Sequence, residues 1–226
     1  MTDGGFAPHI SQTGLLTLTI CKPNIRKSAK PGDYIVALAG SSLKDIVGIE
    51  NDKYKKVSYI YKVTETVAMK NYQEWCMIHA PNKIPSEPEF MGNCQYNRNL
   101  QYMPGPHGPE HRNRNLSGCY SVVSDHFGAW TFANLHTLTD DEIHMLDLTE
   151  EEIQSVKRGH RVFALTPSRE EGLETLMASA PQTEKSFIPN VEVGDVIEES
   201  ESPENNAGSK TRKACKLKRK RMSRRR

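Results

Sequence analysis

LLTLTICKPNIRKSAKPGDYIVALAG, residues 15–40, is the stretch around which the chain is organised. Residues 15–20 alternate apolar side chains with threonine, the two-residue period of a strand, and Thr and Ile suit a pleated surface. Cys21-Lys22-Pro23 stops that strand, because proline has no N–H for the ladder while its fixed φ suits the first turn of a helix. A short helix over residues 24–29 is predicted to follow. Pro31-Gly32-Asp33 then turns the chain into residues 34–39, which are apolar on both faces and read as a buried strand.

The same stretch is strongly cationic. Lys22, Arg26, Lys27 and Lys30 fall within nine residues, and helical spacing would bring Lys22, Arg26 and Lys30 together. Like charges at that spacing repel by a few tenths of a kcal/mol per pair unless an anion neutralises them. Two readings stand side by side: an anion site at the start of the helix, or a solvated basic face.

Asp3-Gly4-Gly5-Phe6-Ala7-Pro8, the run from Cys21 through Ala29, and Gly32-Asp33-Tyr34 together resemble the second family of nucleotide modification associated domains. Phe90-Met91-Gly92-Asn93, Ser124-Asp125-His126-Phe127 with Trp130, and Arg158-Gly159-His160-Arg161 continue the likeness, which covers about residues 3–177. It implies an α+β domain associated with modified DNA bases. Members of the family carry a short apolar strand ahead of the Asp-Gly-Phe motif, so this sheet is expected to lack a strand, or the chain to start upstream. Asn93 stands where the likeness leads one to expect an acid.

Hydrophobic content of 36% and a mean hydropathy of −0.63 are low for a fully packed chain of 226 residues. One domain over residues 1–178, a disordered acidic and polar linker over 179–209 and a basic tail over 210–226 account for this. The tail holds 11 Lys or Arg and no acid, leaving 19 of the 30 bases against all 28 acids in the first 209 residues, a net of −9. No apolar run approaches the roughly 20 residues that span a bilayer. Five scattered cysteines without a C-x-x-C pair suit a reduced, intracellular setting.

Residues 57–67 read as an aromatic strand, 71–78 as a helix, and 120–124 as a strand. A helix capped by Thr149 and Glu152, a closing strand over 161–165 and a helix capped by Ser168 and Glu171 follow. A weak strand is expected at 45–49. The fold class is therefore α+β: a small mixed sheet or PUA-like barrel with flanking helices and a disordered basic C-terminal tail. Residues 81–114, with six prolines, are too long to be a passive connection and read as an active-site loop or an ordinary insertion.

No Walker loop, H-E-x-x-H or G-x-S-x-G motif is present, and His107 with His111 reads as a pair of loop histidines without metal. No metal or cofactor is expected. For nucleic acid, Phe6, Phe127 and Trp130 offer stacking faces. Lys22, Arg26, Lys30, Arg158 and Arg161 are candidate phosphate contacts, and Asn93 is a candidate reader of a base edge. Asp125 and His160 are the candidate acid and base of an enzyme acting on a modified base, of glycosylase or base-tailoring type. A protein-interaction module with an acidic partner is the third reading.

In the tail, Lys216, Lys218, Arg219, Lys220 and Arg221, then Arg224, Arg225 and Arg226, form clusters that would bind polyanions and engage a nuclear import receptor. The expectation is a nuclear protein whose partners are DNA or a modified nucleotide and that receptor, with no membrane.

Overall fold

A computed structural model describes residues 8–11, 13–38, 56–87, 92–105, 107–130, 134–156 and 160–181. All fall in one compact unit, Met1–Asn190, and the second unit, Val191–Arg226, lies outside the described residues. The expected strand at 45–49, most of the linker, the basic tail, Phe6 and Arg158 also lie outside them.

The fold is α+β, built on two small antiparallel sheets. In the first, β1 (His9–Ile10), β2 (Leu16–Leu18), β6 (Tyr120–Ser124) and β5 (Glu65–Ala68) lie in the order β1-β2-β6-β5. In the second, β4 (Lys56–Lys62) is central between β3 (Tyr34–Leu38) and β7 (His126–Ala129), and β8 (His136–Thr137) also pairs with it. Besides the longer link from β2 to β3, two strand pairs run almost directly from one sheet into the other. β4 leads through Val63 and Thr64 into β5, and β6 leads through Asp125 into β7.

Backbone bonds hold that corner: Val63 N–H to Asp33 O at 2.7 Å, Gly32 N–H to Val63 O at 2.8 Å and Thr64 N–H to Val123 O at 2.9 Å. Each sheet keeps its own edge strands, so the described residues form no closed barrel, and the barrel alternative is corrected to two open sheets.

Shared strands explain the apolar runs. On β6, Val122 faces a core that joins the two sheets through Leu16, Leu18, Ile20, Tyr59 and Tyr61, while Val123 faces a second core under α2 (Tyr72–His79). On β4, Tyr59 and Tyr61 face the shared core and Ile60 the opposite one. That third core is covered by α4 (Asp140–Met145), α5 (Glu150–Ser155) and α6 (Pro167–Ser179). Val57 would share the face of Tyr59 in an unbroken strand, yet it packs with Ile60. A bulge is the cause. Ala37 pairs with Tyr59 and Leu38 with Val57, so Ser58 is the extra residue, and its hydroxyl donates to Ala37 O at 3.1 Å.

Three sequence readings are corrected. Among the described residues β3 is an edge strand with Val36 38% exposed, because sheet order rather than its own sequence sets its neighbours. Residues 161–165 form no strand. The last helix is capped by the Thr166 hydroxyl, which accepts from Arg169 N–H at 3.2 Å, with Pro167 starting the helix. A capping box at Thr139 and Glu142 also starts α4, which the sequence reading did not include.

α6 docks through one polar row. Tyr34, Lys62 and His126 are cross-strand partners on β3, β4 and β7. Glu170 and Glu174, one helical turn apart, meet them: Lys62 Nζ lies 3.0 Å from Glu170, His126 Nε2 is 2.5 Å from Glu174, and the Tyr34 hydroxyl donates to both carboxylates. Hydrogen bonds from Lys62 and Tyr34 lower the Glu170 pKa. Burial opposes ionisation of Glu174, but bonds from Tyr34 and His126 outweigh it and lower its pKa too. Groups depressed on folding contribute stability above their ordinary values, and that contribution is lost as pH falls through the lower folded values. Urea midpoints measured from about pH 5 down to about pH 3 should therefore fall more steeply in the wild type than in a Glu170→Gln/Glu174→Gln variant. Parallel curves would show that the row does not hold the helix.

Candidate functional site

The site is built where β2 gives way to α1 (Pro23–Ser28). Cys21 and Lys22 both adopt left-handed backbone, with φ of 56° and 39°. Two successive non-glycine residues in this region cost of order 1 kcal/mol each or more and persist only where surroundings hold them. Here the surroundings are visible. Cys21 N–H donates to Asn115 Oδ1 at 3.0 Å, and Arg26 Nε donates to Cys21 O at 2.8 Å. Arg26 also donates to Tyr120 O at 2.8 Å, to Asn115 O and, at 3.6 Å, to the Met69 sulfur.

The Arg26 guanidinium is thus consumed inside the protein, and the residue is 0% exposed. Burial pulls its pKa down to about 10, which leaves it charged at neutral pH. Gly118 permits the approach, since a Cβ there would stand 2.4 Å from the guanidinium carbon. The expected row of Lys22, Arg26 and Lys30 is corrected accordingly. α1 is only six residues long, Lys22 precedes it, Lys30 follows it, and Arg26 turns inward to carbonyls rather than outward to phosphate. Lys22, Lys27 and Lys30 remain exposed.

Above the elbow lies the proline-rich segment. The Cys21 sulfur is 3.8 Å from both ring nitrogens of His107. The His107 backbone carbonyl is fixed by Gln95 Nε2 at 2.7 Å and by the Tyr102 hydroxyl at 2.8 Å. Tyr96 and Tyr102 meet edge to face, and the Tyr96 hydroxyl accepts from Asn115 Nδ2 at 3.1 Å. His111 stacks obliquely on His107 with ring centroids 5.3 Å apart, at the start of α3 (Arg112–Leu116). Desolvation, then the charges of His111 and Arg114, lower the His107 pKa, so its ring is neutral at pH 7. The elbow thereby gathers a thiol, an imidazole, exposed Lys22 and exposed Arg114.

The other candidates are dispersed. Asn93 is fully buried, its amide donating to Thr17 O at 3.2 Å and its Oδ1 accepting from the Tyr72 hydroxyl at 3.0 Å, so it braces the first sheet instead of meeting a base edge. Trp130 is buried in the core under α4 to α6 and stacks on His136, and Phe127 is half-buried against the core between the sheets. Neither offers an open stacking face. Asp125 is exposed at the crossing between sheets, and His160 and Arg161 are exposed ahead of α6. No hydrogen bond or ion pair joins Asp125 to His160 among the described residues.

A second buried cluster lies under the first sheet. Lys83, 0% exposed, donates to His9 O at 2.8 Å and sits 3.2 Å from His9 Nδ1. Cys94 N–H donates to Lys83 O at 2.8 Å, and Cys76 and Cys94 lie buried in one core cluster. Gly92, at φ 123°, passes so close that a Cβ would meet Lys83 O at 2.5 Å. Among the described residues no three His, Cys, Asp or Glu side chains are placed to hold a metal, and no helix is long and apolar enough to cross a membrane.

A family model described as nucleotide modification associated domain 2 matches residues 1–164. The chain belongs to that family. No curated protein and no solved structure matches it. The nucleotide modification associated domain therefore includes both sheets, the elbow and the proline-rich segment, and the match ends just ahead of α6. This membership places the chain in a nucleic-acid context, associated with nucleotide modification.

Proposed function

We propose that this domain recognises a nucleotide or modified base in DNA at the elbow of β2 and α1. The observation that carries the reading is the held, left-handed Cys21-Lys22 pair, with Lys22 exposed at the elbow and Arg114 exposed beside His107. Cations so placed suit phosphate oxygens, while the sulfur and imidazole beside them suit the base. Residues 210–226, with their 11 bases, would add sequence-independent attachment to the DNA backbone and engage an import receptor, making the protein nuclear. The base itself would be read at the elbow.

The test compares oligonucleotides with and without candidate modified bases across a salt series. Lys22→Gln should weaken binding and flatten the slope of log affinity against log salt by about 0.9 on duplex DNA, or about 0.7 on a single strand. Deleting residues 210–226 should remove most non-specific affinity and nuclear accumulation but preserve preference for the modified base. A preference that disappears with the tail, or a Lys22→Gln variant with unchanged affinity and slope, would assign recognition elsewhere.

A further inference from the structure

The β2–α1 elbow carries chemistry that phosphate binding does not use. A strand that breaks into left-handed backbone and runs directly into a helix presents the side chain at the break on a sharp corner, and here that side chain is a partly exposed thiol. Its sulfur lies 3.8 Å from both nitrogens of His107, against the ring rather than on the lone pair of either, and a turn of the imidazole brings one nitrogen to it when substrate arrives. The His107 backbone is held by Gln95 and Tyr102 through its carbonyl, and the ring is neutral, so it can accept a proton. The Arg26 guanidinium, bonded to the Cys21 carbonyl, supplies a fixed positive charge that favours a thiolate. By contrast Cys76 and Cys94 are fully buried.

We propose that Cys21 and His107 form a nucleophile–base pair whose electrophile is a pyrimidine nucleobase. The class rests on the nucleotide reading given above together with the softness of sulfur. A thiolate adds to a carbon conjugated with a carbonyl or imine, and C6 of a pyrimidine is that carbon. The step balances without an oxidant or co-reactant. His107 takes the Cys21 proton, a bond forms between sulfur and C6, and the C5=C6 electron pair moves to C5. C5 then receives a proton from the imidazolium or water. The product is a 5,6-dihydropyrimidine thioether, and elimination reverses it. Before it takes that proton C5 is a nucleophilic, enolate-type carbon, and in the dihydro adduct the 4-position is activated for substitution.

Two measurements on the full chain test this. The first follows alkylation of each cysteine by iodoacetamide against pH, read by peptide mass spectrometry, in the wild type, His107→Ala and Cys21→Ser. Groups that shape the profile are His111, Glu110 and Arg114 around His107 and Arg26 behind Cys21. Cys21 should react at least about tenfold faster at pH 7 than Cys76, Cys94 or the Cys21 of His107→Ala, whose profile should move up towards the ordinary thiol range near about 8.5. Equal rates with and without His107 would overturn the pair.

The second measurement incubates the protein with an oligonucleotide containing 2-pyrimidinone, an electron-poor pyrimidine that holds thiol adducts. A protein–DNA adduct in the wild type, absent in a Cys21→Ser variant of unchanged circular dichroism, supports the assignment. Fast, His107-dependent alkylation without any adduct on an oligonucleotide that the protein binds would overturn pyrimidine as the electrophile. Absence of oligonucleotide binding would count against the nucleotide reading itself, and the alkylation profile would still decide whether Cys21 and His107 act as a pair.

Discussion

Replacing Arg26 with glutamine is expected to cost about 4 kcal/mol of folding stability, because hydrogen bonds from a charged donor contribute about 1.5–3 kcal/mol each and the buried acceptors left behind stay unsatisfied. Three carbonyls depend on this one side chain: Cys21 O at the elbow, Asn115 O at the end of α3, and Tyr120 O at the start of β6. Their loss would release the left-handed Cys21-Lys22 backbone and uncouple α1 from β6. Gly118→Ala should destabilise by the same route, since its Cβ would overlap the guanidinium. Lys22→Gln, on an exposed side chain next to the same elbow, should change stability by less than about 0.5 kcal/mol. Urea denaturation of the three variants separates these roles. An Arg26→Gln protein within about 1 kcal/mol of the wild type would place the guanidinium at the surface after all.

The second large effect belongs to Lys83. Burial pushes its pKa from 10.5 down to about 7, and the neighbouring Cys76 opposes only part of that shift. The unfolded chain keeps the proton that the folded protein gives up, so stability rises with pH above about 7 by about 1.4 kcal/mol per unit. His9, held near about 3 by burial and by Lys83, extends the same slope on the acid side: it stays neutral when folded and charges when unfolded below about 6.5. Between about pH 7 and about pH 8, below the range in which most thiols and phenols ionise, the wild type should gain about 1 kcal/mol. Lys83→Met should abolish that gain. A wild type whose urea midpoint is flat over this window would mean that Lys83 stays protonated in the fold.

Local structure was legible where local chemistry sets it. Alternation over residues 15–20 and the Cys-Lys-Pro break located β2 and α1 to within two residues, and Thr149 with Glu152 marked α5. Partners supplied by distant chain were not legible. Arg26 sits in a basic run that reads as an anion site or a solvated face, and only the carbonyls of residues 115 and 120 together with the bare Gly118 explain its burial. Asn93 and Trp130 became core for the same reason: Thr17 and Tyr72 in one case, and three helices in the other, come from far along the chain. The proline-rich segment was marked as too long to be passive, but nothing local indicates that its His107 meets Cys21, 86 residues earlier. A signal for the α6 row was present in the spacing of Glu170 and Glu174. Its other half lies on three strands.

Central to this account is that the domain meets a nucleotide at the β2–α1 elbow. Hydrogen–deuterium exchange of the full chain, free and saturated with an oligonucleotide bearing its preferred modified base, tests this most directly. The account predicts slowed exchange over residues 20–23 and 107–114, where Cys21, Lys22, His107 and Arg114 lie together, and little change in α2 or α6. Protection confined to residues 210–226, with the elbow exchanging as in the free protein, would contradict it.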